Sequence, residues 1–322
     1  MMWARRIVVL AVVLLGADAG AWGQAWPTKP IRVIVPFGAG SATDIVPRIV
    51  FDPLSALLGQ PIVVENRVGG GSTLGTAAVA KADPDGYTLL ATSTAHTITP
   101  AVYANLSYDA ASDFAAIIPF GSVANALVIS PSKGFKTIQD MVAAAKAKPG
   151  TFNYASVGVG SATHLSVERL RLSAGFEAVH VPFRGGPEAL MEVIAGRVDF
   201  YFCPINTALP FIREGKLLAL VVNSVNRPPE LPDVPTTLEA GYREAEFPIW
   251  LGMFAPAKTP PGIVAKLHAE TVKALQMTAT QERLTMAGVA PLAVSPAEFD
   301  ARVRKEIETN GALAKAAGIK PN

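Results

Sequence analysis

The chain has 322 residues, half of them apolar and 17% charged, with a net charge of +2. That balance excludes a disordered chain, and without a basic run it excludes a nucleic-acid-binding face. The length suffices for two domains, and a single cysteine, Cys203, excludes an internal disulfide.

The chain opens with a short basic stretch, MMWARR, followed by the apolar IVVLAVVLLGA and then small residues. This is the layout of a signal peptide, and the apolar run is shorter than the ~20 residues that span a bilayer. Gly23 and Ala25 suit the −3 and −1 positions of a cut before Trp26, so residues 1–25 are set apart from the fold. An uncleaved anchor is the alternative reading. The mature chain is expected in the periplasm.

Strands and helices then alternate. IRVIVPF (31–37) reads as a β-branched strand, followed by a glycine turn and a helix over 45–59 that contains Pro47 and Pro53. PIVVEN (61–66) and YTLLATS (87–93) read as further strands, with VGGGSTLGTAAVAKA between them as a glycine turn entering a helix. Short apolar strands separated by helices indicate a doubly wound, mostly parallel sheet. The pattern resumes with strands at 152–158, 178–183, 198–204 and 217–224, separated by helices, and Gly175 and Pro187 mark a helix end and a helix start. Cys203 lies in one of these strands and is expected to be a packed core thiol.

Two long extended runs, 117–130 and 247–256, read as crossings between the α/β units. The expected division is lobe I at 26–124 and 227–322, and lobe II at 125–226. The proline-rich stretch 226–242 reads as a surface connection. The C-terminal part reads as helices, the last led by Ser295 as N-cap.

One phrase occurs twice. GAGSATD (38–44) and GVGSATH (158–164) lie 120 positions apart, each after a strand and before a helix. In open α/β sheets that turn lies at the carboxyl edge, where ligands bind. Glycine permits close backbone approach, and the first N–H groups of a helix lack internal partners and carry partial positive charge. Such a turn holds a carboxylate without a basic side chain. The competing reading is an ordinary capped turn. Enzyme signatures are weaker: the third glycine of a dinucleotide fingerprint is Thr43, there is no G-x-S-x-G elbow, and the four histidines lack metal-ligand spacing. Asp44 and Arg48 are spaced to pair on a helix.

Five stretches in order, WPTKPIRVIVPFGAGSATDIVPR, PIVVENRVGGGSTLG, YASVGVGSATHLSVE, HVPFRGGPEALMEVIAGRVDF and FAPAKTPPGIVAKL, resemble the Bug family. These are the extracytoplasmic solute-binding proteins of tripartite tricarboxylate transporters. The resemblance spans nearly the whole mature chain. It implies a two-lobed type II periplasmic-binding-protein fold, each lobe a mostly parallel sheet flanked by helices, joined by two crossing strands and closing on a small carboxylate. It implies no cofactor, membrane transporter subunits as partners, and a monomer. A signalling receptor and, further off, an enzyme of small acids are the alternatives.

The resemblance also implies cleft-lining positions: Phe37, Ala39, Gly40, Ser41, Thr43 and Asp44 in the first turn, and Ser156, Gly158, Gly160, Ser161, Thr163 and His164 in the second. Ser93, His96 and Asp199 complete the set. For most of these the alternative is capping and turn geometry. Phe37 also suits a core role, and His164 a loop brace. Asp44 and Asp199 either hold a donor or pair with backbone amides. Arg184 is either an anion clamp or a solvent-exposed arginine, and Trp250 reads as core near the hinge. The family usually has two glycines where this chain has Gly40–Ser41, and Asn-Arg-Pro-Gly where this chain has Val68 for proline.

Overall fold

A computed structural model describes residues 26–183 and 185–321. The proposed signal peptide and Arg184 lie outside the described residues.

Lobe I begins with β1 (Ile31–Val35), α1 (Ala42–Leu58), β2 (Ile62–Asn66), α2 (Thr73–Ala80), β3 (Thr88–Ser93), α3 (Ala95–Val102) and β4 (Phe114–Val123). The chain crosses at Ala124 and builds lobe II from β5 (Asn125–Ile129), α4 (Ile138–Ala147), β6 (Asn153–Ser156) and α5 (Ala162–Ala174). The lobe continues with β7 (Val179–Pro182), α6 (Gly186–Ile194), β8 (Phe200–Pro204), α7 (Ile205–Arg213) and β9 (Leu218–Val222). It returns through β10 (Ile249–Pro256) to α8 (Pro261–Gln276), α9 (Thr278–Met286), β11 (Val289–Pro291) and α10 (Pro296–Ala316). Ser295 caps α10 in a reciprocal capping box with Glu298.

Each lobe holds one sheet, ordered β11-β4-β10-β3-β1-β2 in lobe I and β7-β6-β8-β5-β9 in lobe II. The sheets are mixed, and most strands of each run one way: β1, β2, β3 and β4 in lobe I, and β6, β7, β8 and β9 in lobe II. The crossing strands supply most of the antiparallel pairs. β5 enters lobe II from the hinge and runs against β8, and β10 enters lobe I from the hinge and runs against β3 and β4.

Alternation along the strands builds two cores per sheet. Ile31, Val33 and Val35 point into one cluster with α1 and α8, and Ile34 points into the opposite one with Trp250, Phe254 and Phe299. In β8, Phe200 and Phe202 face one cluster, while Tyr201 and Cys203 face the other. Sheets covered on both faces need strands that are apolar throughout.

The second crossing starts later than residue 227. Leu231, Val234, Ala240, Tyr242 and Ala245 pack on the lobe II clusters, so the chain leaves lobe II near residue 246. Proline content marks this stretch as irregular, but its apolar residues still bury against the nearest core. The hinge is stitched by the fully buried Asn223. Its Oδ1 accepts from Asn125 N–H at 2.9 Å, and its Nδ2 donates to Ser166 Oγ and Phe247 O, each at 3.1 Å. Ile98 and Val102 of α3 meet Leu165 of α5 and Phe247 in a small cluster that joins the lobes.

Candidate functional site

Strand register places both repeated turns on the hinge side. Leu251, near the start of β10, pairs with Ser93 at the end of β3, and Asn125 pairs with Pro204 at the end of β8. The carboxyl ends of the parallel strands in both lobes therefore face the crossing, and the loops after β1 and β6 open toward the gap between the lobes.

The two turns share one hydrogen-bond frame. Gly40 and Gly160 are left-handed, at φ +82° and +73°. Ser41 and Ser161 cap the helices with nearly identical backbone angles, φ −71° ψ 160° and φ −69° ψ 159°. Ser41 N–H donates to Gly38 O and Ser161 N–H to Gly158 O, both at 3.2 Å. Gly40 N–H donates to Asp44 Oδ2 at 2.9 Å, and Gly160 N–H to His164 Nδ1 at 3.0 Å. The polar residue ending each phrase thus ties the loop back to the first turn of its helix. Among the described residues, the amides of Ala39, Ala42 and Thr43 have no acceptor, nor do those of Val159, Ala162 and Thr163 at the matching positions. Gly38, Ala39 and Gly40 are exposed, as are Val157 and Val159. Each turn therefore places unpartnered amides at a helix N-terminus, the geometry that receives an anion.

The frames differ in charge. Asp44 is almost fully buried, and its Oδ1 also accepts from Arg48 Nε at 2.8 Å and Asn66 Nδ2 at 2.9 Å. Burial pushes its carboxyl up, but the Gly40 amide, Asn66 and Arg48 outweigh burial and hold it below its ordinary value. Asn66 Nδ2 also donates to Phe37 O at 3.0 Å, and the half-buried Phe37 ring packs on the lobe I core. His164 is pushed down to about 3 by burial, by the adjacent His180 and by Arg171, so lobe II uses a neutral acceptor. Its ring stacks on His180 at 3.9 Å and 6°.

Several expected contacts are engaged elsewhere. Ser156 is fully buried; its hydroxyl donates to Gly158 O and accepts from Gly158 N–H, both at 3.0 Å, and meets His180 Nε2 at 2.6 Å. Ser161 Oγ donates to Gly158 O at 2.7 Å, and Thr163 Oγ1 accepts from Val157 N–H at 3.2 Å. These side chains shape the loop and leave the exposed surface to the backbone. Ser41 Oγ is buried and has no partner among the described residues. Ser93 is nearly buried, its Oγ accepting from Ala95 N–H at 3.4 Å.

Two expected positions are corrected. His96 is 1% exposed, packs between Phe114 and Phe254, and bonds Ala110 O through Nε2 at 3.0 Å. Helix α3 begins directly after β3 and turns this side chain into the core. Asp199 precedes β8, at the edge away from the hinge, where it pairs with Lys133 Nζ at 2.5 Å and accepts from Asn153 N–H at 2.8 Å. A residue before a parallel strand cannot lie on the edge where that strand ends.

Sequence reading passed over Asn66 and His180, the braces of the two loops. Each is a polar residue in the outer parallel strand of its sheet, a signal that means nothing until strand pairing is known.

A family model described as the tripartite tricarboxylate transporter family receptor matches residues 46–319. A solved structure of the periplasmic binding protein BugD is 31% identical, with a TM-score of 0.78 over 92% of this chain and all of that one. An R. palustris protein with adipate is 31% identical, at a TM-score of 0.81 over 92% of this chain and all of that one. MatC from Rhodopseudomonas palustris, with bound malate, is 32% identical at a TM-score of 0.77, over 89% of this chain and 99% of that one.

Proposed function

The chain belongs to the tripartite tricarboxylate transporter receptor family, and we propose that it captures a small carboxylate between its lobes in the periplasm and passes it to membrane transporter subunits. The observation that carries this reading is the paired frame: two helix N-termini with unpartnered amides, one per lobe, both on the hinge edge. The free amides of Ala39, Ala42 and Thr43 in lobe I, and of Val159, Ala162 and Thr163 in lobe II, supply N–H donors to the acid. Adipate and malate in the two R. palustris structures set the size range of the probes. The protein works as a monomer, with hinge motion about residues 124 and 246 closing the lobes.

The test is calorimetry and thermal shift of residues 26–322 with mono-, di- and tricarboxylates, including adipate and malate, after denaturation and mass spectrometry to exclude a carried ligand. One class of acid is expected to raise the melting temperature without being consumed. The substitutions Ser41→Tyr and Ser161→Tyr are each expected to abolish the shift. Binding that survives both would remove the loops from the site.

A further inference from the structure

His180 lies on β7, outside both repeated phrases, yet it touches both arms of the lobe II loop. Its Nε2 bonds Ser156 Oγ at 2.6 Å, and Ser156 Oγ in turn holds the Gly158 peptide at N–H and C=O. A hydroxyl has one proton and two acceptor positions. Gly158 N–H occupies one acceptor position and the proton goes to Gly158 O, so the imidazole donates through Nε2–H to the other acceptor position and the rotor is locked. Its ring also lies flat against His164, whose Nδ1 holds Gly160 N–H. Tyr154, its cross-strand neighbour, closes the stack at 5.0 Å and 21°.

Lobe I has a counterpart. Asn66 ends β2, the outer strand beside β1, as β7 is the outer strand beside β6. Asn66 likewise holds both arms of its loop, donating to Phe37 O and to Asp44. The same task is performed by an amide in one lobe and by an imidazole in the other.

We propose that His180 is a positioning residue for ligand binding, fixing the direction of the lobe II loop amides through Ser156 and His164. This rests on the reading that the loop holds a carboxylate. The test compares wild type with His180→Phe, His180→Gln, Ser156→Ala and the double variant His180→Phe/Ser156→Ala. It uses hydrogen exchange at Gly158 and Gly160 in the ligand-free protein, and calorimetry with adipate and malate.

Phenylalanine keeps the stack and loses the bond, so exchange at Gly158 is expected to quicken about tenfold while Gly160 changes little. Glutamine keeps the bond and loses the ring, so the pattern reverses. The acid that binds wild type is expected to weaken about five- to tenfold in His180→Phe, and the double variant is expected to be no weaker than Ser156→Ala. A merely structural residue would instead quicken exchange throughout lobe II, including β8 and β9. Unchanged exchange at both glycines, or losses that add in the double variant, would overturn the proposal. If exchange follows the expected pattern but His180→Phe binds the acid as wild type does, the positioning role in binding is wrong. Wild type that binds no carboxylate overturns the carboxylate reading instead, and the exchange pattern then decides the brace alone.

Discussion

Replacing Asp44 with alanine removes the tie that holds the lobe I loop to α1. The carboxylate accepts from Gly40 N–H, Arg48 Nε and Asn66 Nδ2. Bonds to a buried charged group contribute about 1.5–3 kcal/mol each, but Arg48 is 44% exposed and Gly40 is open to water, so both rehydrate. The expected loss is therefore about 2–4 kcal/mol, most of it from the released loop and from the one Asn66 N–H that loses Asp44, the other keeping its bond to Phe37 O. Urea unfolding near neutral pH reads the loss as a lower midpoint at an unchanged slope. The pH dependence has a definite sign. The folded carboxyl lies below its unfolded value of 3.8, so the stabilisation is present above that value and disappears as pH falls through the folded one. The gap between wild type and Asp44→Ala should shrink below about pH 4. A loss under about 0.5 kcal/mol, or a gap that widens in acid, would refute the reasoning.

Gly160→Ala places a Cβ 2.7 Å from Val102 in the left-handed region, whereas Gly40→Ala meets open space at a similar φ. Both should lose about 1 kcal/mol to backbone strain, and melting temperatures should show a further drop for Gly160→Ala alone, as the loop is forced off α3. Asn223→Ala should cost about 2–4 kcal/mol in urea and broaden the distribution of lobe separations in small-angle scattering, because three hinge bonds are lost together. His96→Phe should leave acid binding unchanged in calorimetry. Burial pushes His96 down to about 4 against the opposing Ala110 bond, so wild-type stability is complete above its unfolded value of 6.5 and falls as pH drops from there toward 4, by up to about 3 kcal/mol. The variant should flatten that slope. Cys203 is fully buried, and burial pushes its thiol up, so a thiol reagent should label it only after unfolding in guanidinium.

The local devices are legible in short stretches of residues. Glycines with positive φ at positions 40 and 160, serine caps at 41 and 161, and apolar strands between helices are set within a few residues, because backbone sterics and capping act at that range. Their repetition 120 residues apart was enough to mark two like turns in two α/β units. What fills the space behind those turns depends on how distant segments pack. His96 lies next to β3 in sequence yet packs in the core, because α3 starts there and rotates it inward. Asp199 sits beside β8 but at its amino end, and which end faces the hinge depends on how the crossing strands pair. Asn66 and His180 become loop braces only when the outer strands take their register, a choice made by burial of whole sheet faces, which no short stretch of residues encodes.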